Sequence, residues 1–224
     1  MKIPRVKKGR GPKSKMTQAT YRKKALKYLL EDFDGHCAYC LDPKEFRAPS
    51  LTQVDHFDCK IKGRERNYYK NLMLACAACN HYKHDKPVKN PYDPEQRLLN
   101  CTEENEFIEH IEEKPDGQWT PKTKAGEYHL VSIGMMADCH HAKRFARKNM
   151  AERVLGLVTT AVQYKSSNPQ AVHREMMNTV GMLLDTLSNF PPMVTPEGVV
   201  PIRAWLQSKG VDPSLFSQTE FVVS

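Results

Sequence analysis

Four of the seven cysteines form two C-x-x-C pairs, Cys37 with Cys40 and Cys76 with Cys79, separated by 35 residues. Two thiolates at this spacing reach one ion from a single turn, and two such pairs close a tetrahedron when the chain between them folds back, which is the coordination of structural Zn2+. A four-thiolate ion has no open position, so any chemistry must sit elsewhere. The stretch bracketed and followed by the pairs carries side chains suited to it. VDHFD sets Asp55 beside His56, Asn71 comes 15 residues after His56, Asn80 nine after that and His84 four further on. An imidazole, titrating at about pH 6.5 when unperturbed, is neutral at cellular pH and can take a proton from water. A strand and a helix that cross can bring the carboxylate of Asp55, the amide oxygen of Asn80 and a nitrogen of His84 onto one divalent ion. The two oxygens favour Mg2+ or Mn2+, and the nitrogen tilts the choice toward Mn2+, Ni2+ or Zn2+.

These side chains need elements to hold them. LTQVDHFDCK reads as a short strand on which Asp55 and His56 point to opposite faces, so that only one of them is expected to be buried. KGRERNYYKN reads as a polar loop, and residues 74–86 as a short helix stopped by Pro87, with Asn80 and His84 sharing a face. Gly35 and Pro43 around the first cysteine pair suit a tight knuckle. Ahead of it, Thr17 or Thr20 can cap a helix running to Leu30. Tyr21, Ala25, Tyr28 and Leu29 would form its apolar stripe, with Arg22, Lys23, Lys24 and Lys27 on the other faces.

Charge is uneven along the chain. The formal net charge is +8, yet residues 1–90 hold 21 Lys and Arg against 9 Asp and Glu, a balance of +12, while residues 91–224 hold 13 against 17, a balance of −4. A basic half of this size favours a polyanion, and nucleic acid is the commonest one. Lys60, Lys62, Arg64 and Arg66, followed by Tyr68 and Tyr69, can track a phosphate backbone. The odd cysteine count and a start without an apolar h-region argue against a secreted disulfide framework. No apolar run reaches the roughly 18 residues of a membrane helix, so a cytoplasmic protein is expected.

The ordered set C-x-x-C, DH, Asn, C-x-x-C-N-x-x-K, covering residues 37–84, resembles the HNH endonucleases of the ββα-metal, or His-Me finger, fold. The resemblance implies an α+β chain with a ββα-metal core, a structural zinc knuckle, and metal-dependent hydrolysis of phosphodiester bonds. By position it makes His56 the general base, Asp55 and Asn80 ligands of a catalytic Mg2+ or Mn2+, His84 a third ligand, and Asn71 the residue that holds the loop and the histidine in place. Lys83 is similar to the lysine that follows the second knuckle in the family and is expected to meet nucleic acid. Such a reaction needs a nucleophilic water, neutralised phosphoryl oxygens and help for the departing 3′ oxygen, leaving 5′-phosphate and 3′-hydroxyl ends. DNA is the expected substrate, although metal chemistry at the phosphate leaves an RNA such as a tRNA open as well. A non-catalytic zinc module that binds nucleic acid is the reading from another class. Against it stand Asp55, His56, Asn71 and Asn80, since a pure binder has no use for a general base beside a metal site.

Beyond the motif, Pro87, Pro91 and Pro94 mark a linker, and TEENEFIEHIEE is an acidic stretch with Phe107, Ile108 and Ile111 on one side. DGQWTPKTKAGEYHLVSI reads as a turn followed by strands, a small hairpin. After Met135 the pattern is helical: Phe145, Val154, Leu155, Val158 and Val162 fit a long amphipathic helix, and MMNTVGMLLDTLSNF a second. PPMVTPEGVV reads as a loop and IRAWLQSKG as a last helix closed by Gly210. Cys139, His140 and His141 have no partner ligands at metal spacing and read as ordinary helix residues. The expected organisation is a flexible basic arm over 1–16, a nuclease core over 17–90, a linker and small α/β segment over 91–134, and a mainly helical region over 135–224. That last region would dock a partner or complete the core. The basic start, the motif and the helical half together resemble the nuclease subunit of Septu-type antiphage defence systems, which implies an ABC/SMC-like ATPase partner.

Overall fold

Tyr21, Ala25 and Leu29 recur at helical spacing, and helix α1 (Tyr21–Asp32) buries all three on one side. Tyr28, expected in the same stripe, is 37% exposed and meets the ring of Tyr69 edge-on at 6.4 Å. Gly35, at φ 68, turns the chain out of α1 toward the first cysteine pair. The computed structural model describes residues 8, 9, 11, 12, 16–42, 52–103, 105–135, 138–164, 174, 178–183, 193–195, 198–200 and 202–211. Pro43, the side chain of Cys139 and most of MMNTVGMLLDTLSNF lie outside them. Of the expected flexible arm, Lys8 donates to the carbonyls of Tyr69 at 3.3 Å and Lys70 at 3.0 Å, and also to that of Leu72. The Gly9 N–H donates to Asp32 at 2.7 Å, so this part of the arm is laid against α1.

Strand β1 (Thr52–His56) pairs antiparallel with β2 (Leu72–Cys76), with Asp55 opposite Met73 and His56 opposite Leu72. The loop between them contains two 3-10 turns, Gly63–Asn67 and Tyr69–Asn71. β2 runs directly into helix α2 (Ala77–Lys83). The helix expected over 74–86 is thus shorter at both ends, because Leu74, Ala75 and Cys76 belong to the strand. All five residues of β2 are buried, since α1 packs on the hairpin from one side and α2 from the other. A strand covered on both faces has no alternation to set it apart from a buried helix. The same double cover buries Asp55 and His56 together, at 8% and 6% exposure, where only one was expected.

The proline-rich stretch after α2 folds back. The Leu98 N–H donates to the Val88 carbonyl and the Asn90 N–H to the Gln96 carbonyl, both at 2.8 Å, and the return delivers Leu98 and Leu99 to the core. Helix α3 (Glu106–His110) buries Phe107, and Ile111 opens β3 (Ile111–Glu113), which pairs with β4 (Trp119–Pro121), so the hairpin takes its first strand from the acidic stretch and not from the segment read as a hairpin. Residues 124–132, read as strand, form helix α4 (Lys124–Ser132) instead. Thr123 accepts the Gly126 N–H at 3.2 Å and starts the helix, which buries Ala125, His129 and Leu130. One hydrophobic cluster runs from Tyr21 through Leu74, Trp119 and Leu130 to Met135, so the segments 17–90 and 91–134 share a core.

Helix α5 (Asp138–Tyr164) leaves that core behind in its second half. Ala151, Val154 and Val158 form a second cluster with Val180, Leu206 and Val211, Leu206 coming from the last helix, Ile202–Ser208. That helix ends at Gly210, φ 88, where a glycine was expected to close it. PPMVTPEGVV, read as a loop, contains the antiparallel pair β5 (Met193–Thr195) and β6 (Gly198–Val200). The β-branched Val194, Thr195, Val199 and Val200 favour that conformation. Among the described residues no helix is long and apolar enough to cross a membrane.

Candidate active site and metal centre

The hairpin and α2 bring the two cysteine pairs together. Cys37 and Cys40 lie in the knuckle after α1, Cys76 ends β2 and Cys79 sits in the first turn of α2; their four buried sulfurs all lie within 4.8 Å of one another. Cys40 and Cys76 Sγ are 3.9 Å apart. A tetrahedron with metal–sulfur bonds of about 2.3 Å has edges of roughly 3.8 Å, so the cage has the right size. Backbone donors already face the sulfurs: the Cys76 N–H donates to Cys37 Sγ at 3.3 Å, and the Cys79 N–H to Cys76 Sγ at 3.4 Å, where it caps α2. Hydrogen bonds from the other three thiols lower the pKa of the Cys76 sulfur, whereas burial pushes the Cys40 thiol up. This donor set fits a tetrahedral divalent ion, which when bound would take the place of the shared protons and tie the knuckle to α2.

His56 stands at the end of β1 on the α1 side of the hairpin. The Tyr21 ring lies 4.7 Å from its own, tilted by 41°. Nε2–H donates to Asn67 Oδ1 at 2.9 Å, which leaves Nδ1 as the basic nitrogen of the neutral ring. Burial lowers the pKa of His56, helped by the charges of Arg66 and Lys83 and opposed by Asn67 and Asp55, so the imidazole is neutral near pH 7. Asn71 braces the loop that supplies Asn67. Its Nδ2 donates to the carbonyls of Asp58 at 3.1 Å and Arg66 at 3.0 Å, and its Oδ1 accepts the Asp58 N–H at 2.9 Å. Asn67 is a site residue that the sequence reading passed over, since one asparagine in a polar loop carries no spacing signal.

Asp55 faces the other way. Its Oδ2 accepts a hydrogen bond from the Tyr39 hydroxyl and pairs with Lys83 Nζ at 2.9 Å, while the same ammonium donates to the His56 carbonyl at 2.8 Å. Lys83, expected to meet nucleic acid, is therefore 0% exposed and offers no charge to a polyanion. Asn80 donates to Gln53, its neighbour across β1 and α2. His84 does not share a helix face with it. The chain leaves α2 there at φ 39, and the imidazole is solvent-exposed beside Asp85 at 3.3 Å. The three groups expected on one divalent ion are thus not assembled. The carboxylate oxygen is already neutralised by an ammonium, the amide is taken by Gln53, and the histidine is outside. As they stand, these residues do not fit the catalytic ion.

Of the other expected nucleic-acid contacts, Lys60, Lys62 and Arg64 are exposed on the loop after β1, and Arg66 is half-buried. Helix α5 meets the back of the cysteine cage. His140 Nδ1 lies 3.3 Å and Lys143 Nζ 3.1 Å from Asp42, and Arg147 pairs with Glu113. Burial alone would raise the Asp42 carboxyl, but His140, Lys143 and Arg144 outweigh it and hold the group below its ordinary value. Cys40, Asp42 and His140 also lie within 4.8 Å of one another, with Cys40 common to both clusters.

Residues 37–86 match a family model described as HNH endonuclease. No curated protein and no solved structure matches the chain. The matched segment begins at the first cysteine of the cage, takes in the β-hairpin with His56 and the whole of α2, and leaves α1 and everything beyond Lys86 outside. The matched residues hold the two-stranded hairpin, the helix carrying the second cysteine pair and the buried histidine at the strand end, and over this segment the chain is similar to the HNH endonucleases.

Proposed function

We propose that the protein is a DNA endonuclease in which His56 is the general base. The observation that carries this reading is the state of His56 inside a matched HNH segment: buried, neutral, held through Nε2 by Asn67 and braced by Asn71. Nδ1 takes a proton from water as the water oxygen bonds to phosphorus. The bond to the 3′ oxygen breaks, and that oxygen takes a proton from solvent, leaving 5′-phosphate and 3′-hydroxyl ends. HNH nucleases use divalent ions, and activity is expected with Mg2+ or Mn2+. The four-cysteine centre holds structural Zn2+, because four thiolates select a soft tetrahedral ion and leave it no site for substrate.

The test is cleavage of plasmid, single-stranded DNA and total RNA by wild type and His56→Ala, each in Mg2+, Mn2+ or EDTA. Wild type should cut plasmid with Mg2+ or Mn2+, and the substitution should lower the rate by about 10²–10⁴-fold in a protein that still unfolds cooperatively above the assay temperature. Cleavage of RNA alone would replace DNA by RNA in this reading. Binding of nucleic acid without any cleavage would make the domain a zinc-dependent binder. A place in antiphage defence beside an ABC/SMC-like ATPase follows from the Septu resemblance. It predicts slow cleavage by the chain alone and faster cleavage once that partner is added.

A further inference from the structure

Two arginines adjoin the residues that hold His56, and neither takes part in an ion pair among the described residues. Arg22, on α1, donates through Nε to the Tyr21 hydroxyl at 3.0 Å, and its guanidinium lies 5.7 Å from the centre of the Tyr21 ring. That ring is the one packed against His56 at 4.7 Å. Arg66 comes from the loop between β1 and β2. Its carbonyl is held by Asn71 at 3.0 Å, and the following residue, Asn67, takes His56 Nε2 at 2.9 Å. The Arg66 Nε is a buried donor with no hydrogen-bond partner. Both residues are therefore tied to neighbours of the imidazole, and among the described residues both guanidinium groups stand without a carboxylate. A guanidinium matches phosphate oxygens with two parallel donors, and two uncompensated ones around a neutral ring make a local field that draws an anion.

We propose that Arg22 and Arg66 form a phosphate seat beside His56, which holds the backbone of the nucleic acid against Nδ1. Half of this seat comes from α1, outside the segment that matches the HNH family model. The proposal rests on the nuclease reading for what the seat positions, although the binding it describes is separable from cleavage. Tyr21 acts as a positioning residue: its ring packs on the base and its hydroxyl holds the arginine.

Binding is measured in the His56→Ala background with a labelled DNA duplex and a labelled RNA strand, across a range of salt concentrations. Arg22→Gln and Arg66→Gln should each weaken binding by about tenfold and lower the slope of log K against log salt by about one. Lys27→Gln, which removes the same charge from an exposed position on α1, is the control and should change affinity by less than about twofold. Tyr21→Phe keeps the ring and should weaken binding less than Arg22→Gln does. If Arg66→Gln melts early, Arg66→Lys, which keeps the charge without the fork, is expected to retain the salt slope but lose affinity. Equal losses in Lys27→Gln and Arg22→Gln, or no loss in either arginine variant, would overturn the seat, as would failure of His56→Ala to bind any nucleic acid. Arginine-dependent binding with no cleavage by wild type would retain the seat and reject the nuclease.

Discussion

At the scale of single residues, the most consequential contact is the buried ion pair between Asp55 and Lys83. The two lie 28 positions apart in the chain, 2.9 Å apart in space, and Lys83 has no exposure to water. A buried charge stripped of its partner is expensive, whereas removing both partners is far less so. Lys83→Met should destabilise the domain by about 3–5 kcal/mol. Adding Asp55→Asn, which keeps an acceptor for Tyr39, should recover a large share of that loss. Chemical denaturation of the two single variants and the double variant measures the coupling, and additive losses would mean that the pair contributes nothing as a pair. The sequence signal at these positions was that of a metal ligand and a phosphate contact. Residue type was legible there, but partner was not, because a carboxylate serves a metal ion or an ammonium equally well until packing brings one of them close.

At the scale of elements, α4 and the knuckle are joined by a histidine. His129 accepts the Leu99 N–H on Nδ1 at 3.1 Å, and its Nε2–H donates to the Tyr39 carbonyl at 3.3 Å, so both nitrogens are committed to the neutral ring. Burial lowers its pKa from 6.5 to about 4. Between those two values the unfolded chain binds a proton that the folded one refuses. The contribution of His129 is therefore complete above pH 6.5 and lost as pH falls toward 4, on the order of 3 kcal/mol in all. Unfolding free energies of wild type and His129→Gln, compared between pH 7 and 4.5, should show a shallower acid loss in the variant; parallel curves would assign the acid sensitivity to other groups. The cysteine cage is the second joint between elements. One zinc ion per chain is expected by metal analysis, and Cys76→Ser should lower both zinc content and melting temperature, since Cys76 is at once a ligand and the cap of α2. The spacing of the cysteines was enough to find this joint from sequence. Strand β2 was not, because its uninterrupted burial erased the period-two pattern that marks strands, and α4, whose buried Ala125, His129 and Leu130 recur at helical spacing, was legible only once Thr123 was recognised as its cap.

At the scale of the whole molecule, the HNH segment is not a unit that stands alone. Leu98, Leu99, Phe107, Trp119 and Leu130 belong to the same cluster as Leu29, Tyr39 and Leu74. A fragment ending at residue 90 should expose the apolar surface these residues cover and give no cooperative unfolding transition even with zinc, whereas the full chain should give one. A cooperative melt from the fragment would show that the hairpin, α1 and the zinc cage suffice. Helix α5 ties the rest on: His140 and Lys143 reach Asp42 at the back of the cage, and Arg144 lies 4.1 Å over the Trp119 ring. The sequence by itself determined the four-cysteine cluster, the order Asp55, His56, Asn71, Asn80 and the basic character of the first half, because ligand type, spacing and charge are carried by residues one at a time. Only the tertiary structure decided that Asp55 and His56 are both buried on opposite faces, that Lys83 neutralises the carboxylate, that His84 leaves the helix, and that α1 sets the Tyr21 ring against His56. Those outcomes depend on which surfaces cover the hairpin from either side, and side chains far apart in the chain meet there only after packing has excluded water.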